Sequence, residues 1–180
     1  MGHEPRERPD LRNMVLKIRS EQLQIIQRHA EADYPAECCG ILLGQVEGDS
    51  KEVSEVAPIP NLRHDPARAE ELLPLDDPGH ESERNRFLID PREQLRVEKD
   101  ARARTLTVLG YYHSHPDHPA RPSGYDREHA WPWYSYVIVS VEQGRARDTR
   151  SWALHDDRAG FEPEPLELEE SLSAARRQEG

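Results

Sequence analysis

Two histidines one residue apart, a proline directly behind them and an aspartate further on form the part of this sequence best suited to chemistry. The stretch Tyr111 to Asp126 reads Y-Y-H-S-H-P-D-H-P-A-R-P-S-G-Y-D. In an extended chain, residues i and i+2 point to one face. His113 and His115 can therefore turn both imidazoles to a single metal ion while Ser114 faces away. With a carboxylate from Asp126 and a fourth position left to water, this is a catalytic rather than a closed structural zinc set. A Lewis-acidic ion in such a set acidifies bound water and polarises a carbonyl under attack. Water attack also needs a proton acceptor beside the metal that is not itself a ligand. Glu37, at the entrance to an apolar run, is the candidate.

The elements that must position these groups are legible on either side. Leu106-Thr107-Val108-Leu109-Gly110 is an apolar run with the character of a buried strand, and it delivers His113 and His115 at its end. Pro116 has no N–H to give to a sheet ladder and closes the strand. Ser123 then sits as the N-cap of a helix with Asp126 in its first turn, which returns a carboxylate over the strand end. As a cap alone Ser123 is worth about 1 kcal/mol; held there, its hydroxyl can also donate to a developing oxyanion. Glu37 opens the run Cys38-Cys39-Gly40-Ile41-Leu42-Leu43-Gly44, typical of a strand covered on both faces. A solvated residue at a strand end is the alternative for it.

Elsewhere the pattern predicts a first strand over Leu11 to Ile18. A helix follows with Ser20 as N-cap and Leu23, Ile25, Ile26 and Ala30 as its buried stripe, ending near Tyr34-Pro35. Lys51 to Pro60 reads as an antiparallel neighbour of the Cys38 strand. Asn61 to Asn85 is a loop, with a helical turn around Arg68 to Leu73. Arg86 to Asp90 is a short strand, and Asp90 as N-cap with Pro91 at the first helical position opens a helix to about Arg104. Trp131-Pro132-Trp133 breaks the helix begun at Ser123, and Tyr134 to Val141 is a central strand. Ser151 to His155 and Phe161 to Leu168 are further strands. Strands and helices mix without regular alternation, so the expected fold is α/β, a mixed sheet flanked by helices. One domain over residues 11–168 is expected, after a disordered lead-in at 1–10 and before a tail at 169–180.

The net charge of -11 argues against a nucleic-acid backbone as the main partner. The composition is polar, with 33% charged residues and a mean hydropathy of -0.93; a core forms because the apolar residues gather in a few strand-like runs. Cys38 and Cys39 are the only cysteines, adjacent, with no C-x-x-C pattern and no disulfide framework. That fits a reducing, cytoplasmic compartment. They read as small core residues on opposite faces of one strand. No apolar stretch approaches the length of a membrane span, and Met1 to Asp10 lacks the apolar centre of a signal peptide. His118 reads as a rim residue, and His64, His80, His129 and His155 as surface residues. Trp131, Trp133 and Tyr134 read as core, with a substrate wall as the alternative.

The pattern H-x-H-P followed by P-S-x-x-D, together with E-x-x-G-x-L-x-G at Glu37 to Gly44, resembles the JAMM (Mov34/MPN/PAD-1) metalloprotease family over roughly Leu11 to Val141. The resemblance implies a JAMM/MPN core related to the cytidine deaminases and one Zn2+ per chain, with a bound water. It makes His113, His115 and Asp126 the zinc ligands, Glu37 the general base and Ser123 the oxyanion partner. It further implies a peptidase or isopeptidase acting after the C-terminal Gly-Gly of a ubiquitin-like β-grasp sulfur carrier. The Arg86 to Asp90 strand would offer the edge beside which that tail lies. A RadC-like protein linked to DNA repair and a non-enzymatic MPN scaffold are the alternatives. The charge opposes the first and the intact ligand set the second. A zinc nucleoside deaminase would need H-x-E and P-C-x-x-C, and neither is present. Whether the bond is peptide or isopeptide, and whether the protein is a homodimer, stay open.

Overall fold

A computed structural model describes residues 14–65, 67–68, 71 and 87–169. The expected lead-in, most of the 61–85 loop with His80, and nearly all of the tail lie outside these residues. Eight strands and three α-helices are described: β1 Val15–Arg19, α1 Ser20–Asp33, β2 Cys39–Glu47, β3 Ser50–Ile59, α2 Pro91–Ala103, β4 Thr107–Pro116, α3 Gly124–His129, β5 Ser135–Glu142, β6 Arg145–Leu154, β7 Phe161–Glu164 and β8 Leu166–Glu169. All strands join one mixed sheet in the order β7-β6-β5-β4-β2-β3-β1-β8. β2 is antiparallel to both β3 and β4, and β4 is parallel to β5. The expected α/β class is the observed one. No helix among the described residues is long and apolar enough to cross a membrane.

The chain uses the two faces of this sheet separately. Alternation along β2 sends Cys38 and Leu42 into one apolar cluster with Ile26 and Ala30 of α1, and Cys39, Ile41 and Leu43 into another with Val97 and Ala101 of α2. The two cysteines thus face opposite sides as expected, and burial pushes the Cys38 thiol up to about 12, far from a reactive thiolate. α2 starts as its sequence dictates, with Pro91 in the first turn and the Asp90 carboxylate accepting from the Arg92 N–H at 2.8 Å. β2 and β3 pair antiparallel, also as expected.

Several sequence expectations need correction. The N-cap of α1 is Arg19, not Ser20, and its N–H is taken by the Gln22 side chain at 3.0 Å. Ile25 lies outside the buried stripe, 43% exposed. β6 begins at Arg145 rather than Ser151; its outer half is polar and carries no apolar signature. Phe161 to Leu168 is two strands, because Pro165 separates β7 from β8 and these pair at opposite ends of the sheet order. One intervening residue spans at most roughly 7 Å between flanking Cα atoms. The sheet must therefore curl until its two edges meet at Pro165. Residues 87–90 are not a strand: the Leu62 N–H donates to the Leu88 carbonyl at 2.8 Å, and the Asn61 side chain accepts from the Leu88 N–H at 3.0 Å. No sheet edge exists there.

Candidate metal centre

In the antiparallel pairing of β2 with β4, Cys39 stands opposite His113. Continuing that register by two residues sets Glu37 across from His115, and alternation puts all four residues on one face. The opposite face locks the join: the Cys38 N–H donates to the Ser114 hydroxyl at 2.9 Å. Asn61, two residues after β3, is buried and donates to the Glu37 carbonyl at 2.9 Å. It ties the candidate base to the Leu88 segment. Nothing in the sequence singled it out beyond its place behind Pro60, the residue that follows β3.

Asp126 arrives from the other side on α3, whose start is built by Ser123. The Ser123 hydroxyl accepts from the Asp126 N–H at 3.2 Å, and the Asp126 carboxylate accepts from the Ser123 N–H at 2.6 Å and its hydroxyl at 2.7 Å. The capping reading of Ser123 is thus observed. The loop between β4 and α3 is pinned along its length. Val141 and Pro119 carbonyls take the Asp117 N–H and the His115 Nδ1–H at 2.7 and 3.0 Å, and the Ser140 hydroxyl and Trp152 indole donate to the His118 and Ala120 carbonyls.

These elements bring His113, His115 and Asp126 together, all buried, with one ligand atom from each inside 4.8 Å of the others. His113 Nε2 lies 3.1 Å from Asp126 Oδ1, and the two Nε2 atoms are 3.0 Å apart. The bond from His115 Nδ1 to a carbonyl, which can only accept, fixes that tautomer and leaves the Nε2 lone pair facing its neighbours. Two imidazole nitrogens and a carboxylate converging on one point repel unless a positive charge lies among them. The donor set fits a divalent cation with mixed nitrogen and oxygen preference. Burial pushes the His113 imidazolium down, so the ring is neutral and ready to ligate. Burial alone would raise the Asp126 carboxyl, but its contacts with His113 and the Ser123 hydroxyl hold it well below the usual carboxylate range. The His113 Nδ1 is buried without a partner, and its ring is oriented by Phe87, stacked at 4.7 Å between centroids.

Two cavities meet this cluster. Glu37, His115, His118, Arg121 and Ser123 line one of about 350 Å³. Glu37 is buried, so the solvated reading of it falls, whereas Ser123 is exposed to the cavity. The other, about 240 Å³, lies against His113 and Asp126 and has ring walls from Phe87, Tyr111, Tyr125 and Trp131. Trp131 is 66% exposed and lines this cavity, so of its two readings core falls and a wall stands. His64 and His129 are exposed and His155 half-buried.

A family model described as prokaryotic homologs of the JAB domain matches residues 19–155. A desampylase of Haloferax volcanii is 32% identical over 131 residues, covering 72% of this chain and 81% of that protein. A CysO-cysteine peptidase of Mycobacterium tuberculosis is 29% identical over 150 residues, 83% of this chain and 89% of its own. The solution structure of a Desulfitobacterium hafniense protein superposes with a TM-score of 0.68 at 33% identity, covering 89% of this chain and 97% of that one. The match takes in Glu37, both histidines, Ser123 and Asp126, and with it the chain belongs to the prokaryotic JAB-domain family.

Proposed function

We propose that this protein is a zinc-dependent peptidase that hydrolyses the bond after the C-terminal Gly-Gly of a ubiquitin-like β-grasp sulfur carrier, acting in the cytoplasm. The observation that carries the reading is the convergence of His113 Nε2, His115 Nε2 and an Asp126 oxygen, with Glu37 in register beside them on a shared cavity wall. The names of its relatives, a desampylase and a CysO-cysteine peptidase, support a peptidase and supply the substrate class.

His113, His115 and Asp126 would hold one ion, which supplies Lewis acidity toward a carbonyl and a water. The chain's own residues do the rest. Glu37 accepts a proton from the attacking water and returns it to the departing amine, a role that fits a buried carboxylate on the cavity wall. Ser123 presents its hydroxyl to the same cavity, and that hydrogen turns about the Cβ–Oγ bond between Asp126 Oδ2 and a developing oxyanion. The pinned loop from Asp117 to Ala120 keeps His115 and Ser123 at fixed separation without help from substrate. A diglycine tail has no side chains to clash with the buried ligands as it crosses them.

The test is cleavage of a β-grasp carrier extended beyond Gly-Gly, with intact protein beside Glu37→Gln and zinc content measured in both. We expect scission at the diglycine by the intact protein, a loss of about 10²-fold or more in Glu37→Gln, and equal zinc. Full activity in Glu37→Gln, or no zinc in either protein, would sink the mechanism.

A further inference from the structure

Four arginines of the described surface have an acidic partner: Arg68 with Asp90, Arg96 with Glu93 and Asp100, Arg104 with Glu55, and Arg150 with Asp148. Arg121 is among those that have none, and its place gives that charge a use. Among the described residues no acidic side chain pairs with it, in a chain whose net charge is -11. It lines the cavity that holds Glu37, His115 and Ser123. Its backbone is held rather than loose: the Arg121 N–H donates to the Pro119 carbonyl at 2.8 Å, and the preceding residue, Ala120, is buried and accepts from the Trp152 indole at 3.0 Å. An unpaired guanidinium, carried on a held backbone at the wall of a cavity that also holds Glu37, can receive an anion there.

The position of Glu37 says which anion. In the hydrolysis proposed above, on which this inference rests, the bond between the glycine carbonyl carbon and the amine nitrogen breaks. The water oxygen joins the carbon, and its proton passes through Glu37 to the nitrogen. The departing nitrogen must therefore lie on the Glu37 side, in the cavity that Arg121 lines. If that nitrogen belongs to a C-terminal residue, a free α-carboxylate lies two bonds away. If it is the ε-nitrogen of a lysine inside a conjugated protein, an uncharged aliphatic stem lies there instead. We infer that Arg121 binds the free α-carboxylate of the residue after Gly-Gly, so that the site releases a C-terminal residue in preference to opening isopeptide conjugates. The guanidinium fork matches a carboxylate bidentately. Charge is then removed from the cavity at binding, and the leaving amine is aligned with Glu37.

The experiment uses zinc-loaded full-length protein and three substrates built on one carrier ending in Gly-Gly. The first carries a single further residue with a free carboxylate, the second the same residue as its amide, and the third a peptide lysine joined through its ε-nitrogen. The intact protein is expected to favour the acid over the amide by about tenfold or more in kcat/KM. Arg121→Gln brings that ratio toward one and Arg121→Lys keeps part of it. Arg127→Gln, which removes a nearby positive charge that does not line this cavity, retains it. In Glu37→Gln protein, where the peptide is held uncut, the acid-to-amide preference appears in Kd as well. Equal turnover of acid and amide, preference for the ε-linked substrate, or an equal fall of the ratio in Arg127→Gln would overturn the role of Arg121 and leave the peptidase reading intact. Cleavage of none of the three would overturn both.

Discussion

Replacing Lys51 with methionine tests how the curled sheet is closed. Lys51 on β3 is buried, and its ammonium donates to the Trp133 carbonyl and to the Ser135 hydroxyl at 2.9 Å, with Glu164 Oε1 of β7 at 3.6 Å. Glu164 also accepts from the Ser135 and Ser151 hydroxyls at 2.9 and 2.5 Å. One ion pair thus joins strands that lie five places apart in the sheet order. It also holds Trp133 in a left-handed backbone conformation, φ 85°, two residues beyond the Trp131 wall of the apolar cavity. Lys51→Met keeps the stem and removes the charge. Breaking a buried pair this way costs about 3–5 kcal/mol. The two hydroxyl donors left on Glu164 favour the lower end, and 3 kcal/mol in a domain of this size lowers Tm by roughly 6–12 °C.

The pH dependence separates this account from simple loss of packing. Burial raises the Glu164 carboxyl, opposed by Lys51 and then by the two serines. Without Lys51 the opposing pull weakens and the folded value rises further above the unfolded one. Between those two values the native state binds more protons than the unfolded chain, so stability falls as pH rises through that window. Urea unfolding at pH 5 and pH 8 is therefore expected to show the larger deficit for Lys51→Met at pH 8, because the window opens at the ordinary carboxylate value. Adding Glu164→Gln in the same chain should restore most of the loss and remove the pH difference. A deficit below about 1 kcal/mol, or one that Glu164→Gln fails to relieve, would show that the pair does not close the sheet; the margin is the scale of an ordinary surface pair.

Two further outcomes follow from the site. Zinc at a hundred times its Kd should stabilise the protein by about 2.7 kcal/mol, a rise in Tm of roughly 5–11 °C. The rise should shrink on acidification, because protons compete for neutral imidazoles, and vanish in Asp126→Asn; an unchanged shift in that variant would disprove the ligand set. Gly40→Ala should cost about 1–3 kcal/mol by overpacking, because a Cβ there would sit 2.2 Å from the ring of the fully buried Tyr112, whose strand carries His113 next. A neutral Gly40→Ala, judged by urea unfolding, would mean that the ring has room to turn.

The coming together of the candidate ligands was readable because its geometry is local. One residue between His113 and His115 is enough to put two nitrogens on one side of a strand, and three residues from Ser123 to Asp126 are enough to fold a carboxylate back over it. Glu37 was readable for a different reason. Its strand advertises itself through glycines, and the structure supplies their cause: Gly40 faces the Tyr112 ring, and Gly44 faces the Glu52 carbonyl, where an added Cβ would lie 1.9 Å away at a break in the β2–β3 register. Such glycines mark close approach and not flexibility.

The groups that hold the site in place left no such trace. Phe87-Leu88-Ile89 has the composition of a strand, yet the Asn61 side chain takes its Leu88 N–H and its Phe87 ring goes to His113. Side-chain capture of a backbone donor competes with a sheet ladder, and no periodicity records which of the two prevails. Phe161 to Leu168 looks like one weak strand because the fact that divides it is the curl of the whole sheet. Lys51 and Glu164 would each read as solvated residues until that curl brings them together. Arg121 lies between these cases: the motif fixes its place two residues before Ser123, but only the cavity shared with Glu37 gives its charge a direction. In the proposed mechanism the motif therefore specifies how a bond is cut, while the choice of bond rests on residues whose neighbours are assigned by the closed sheet.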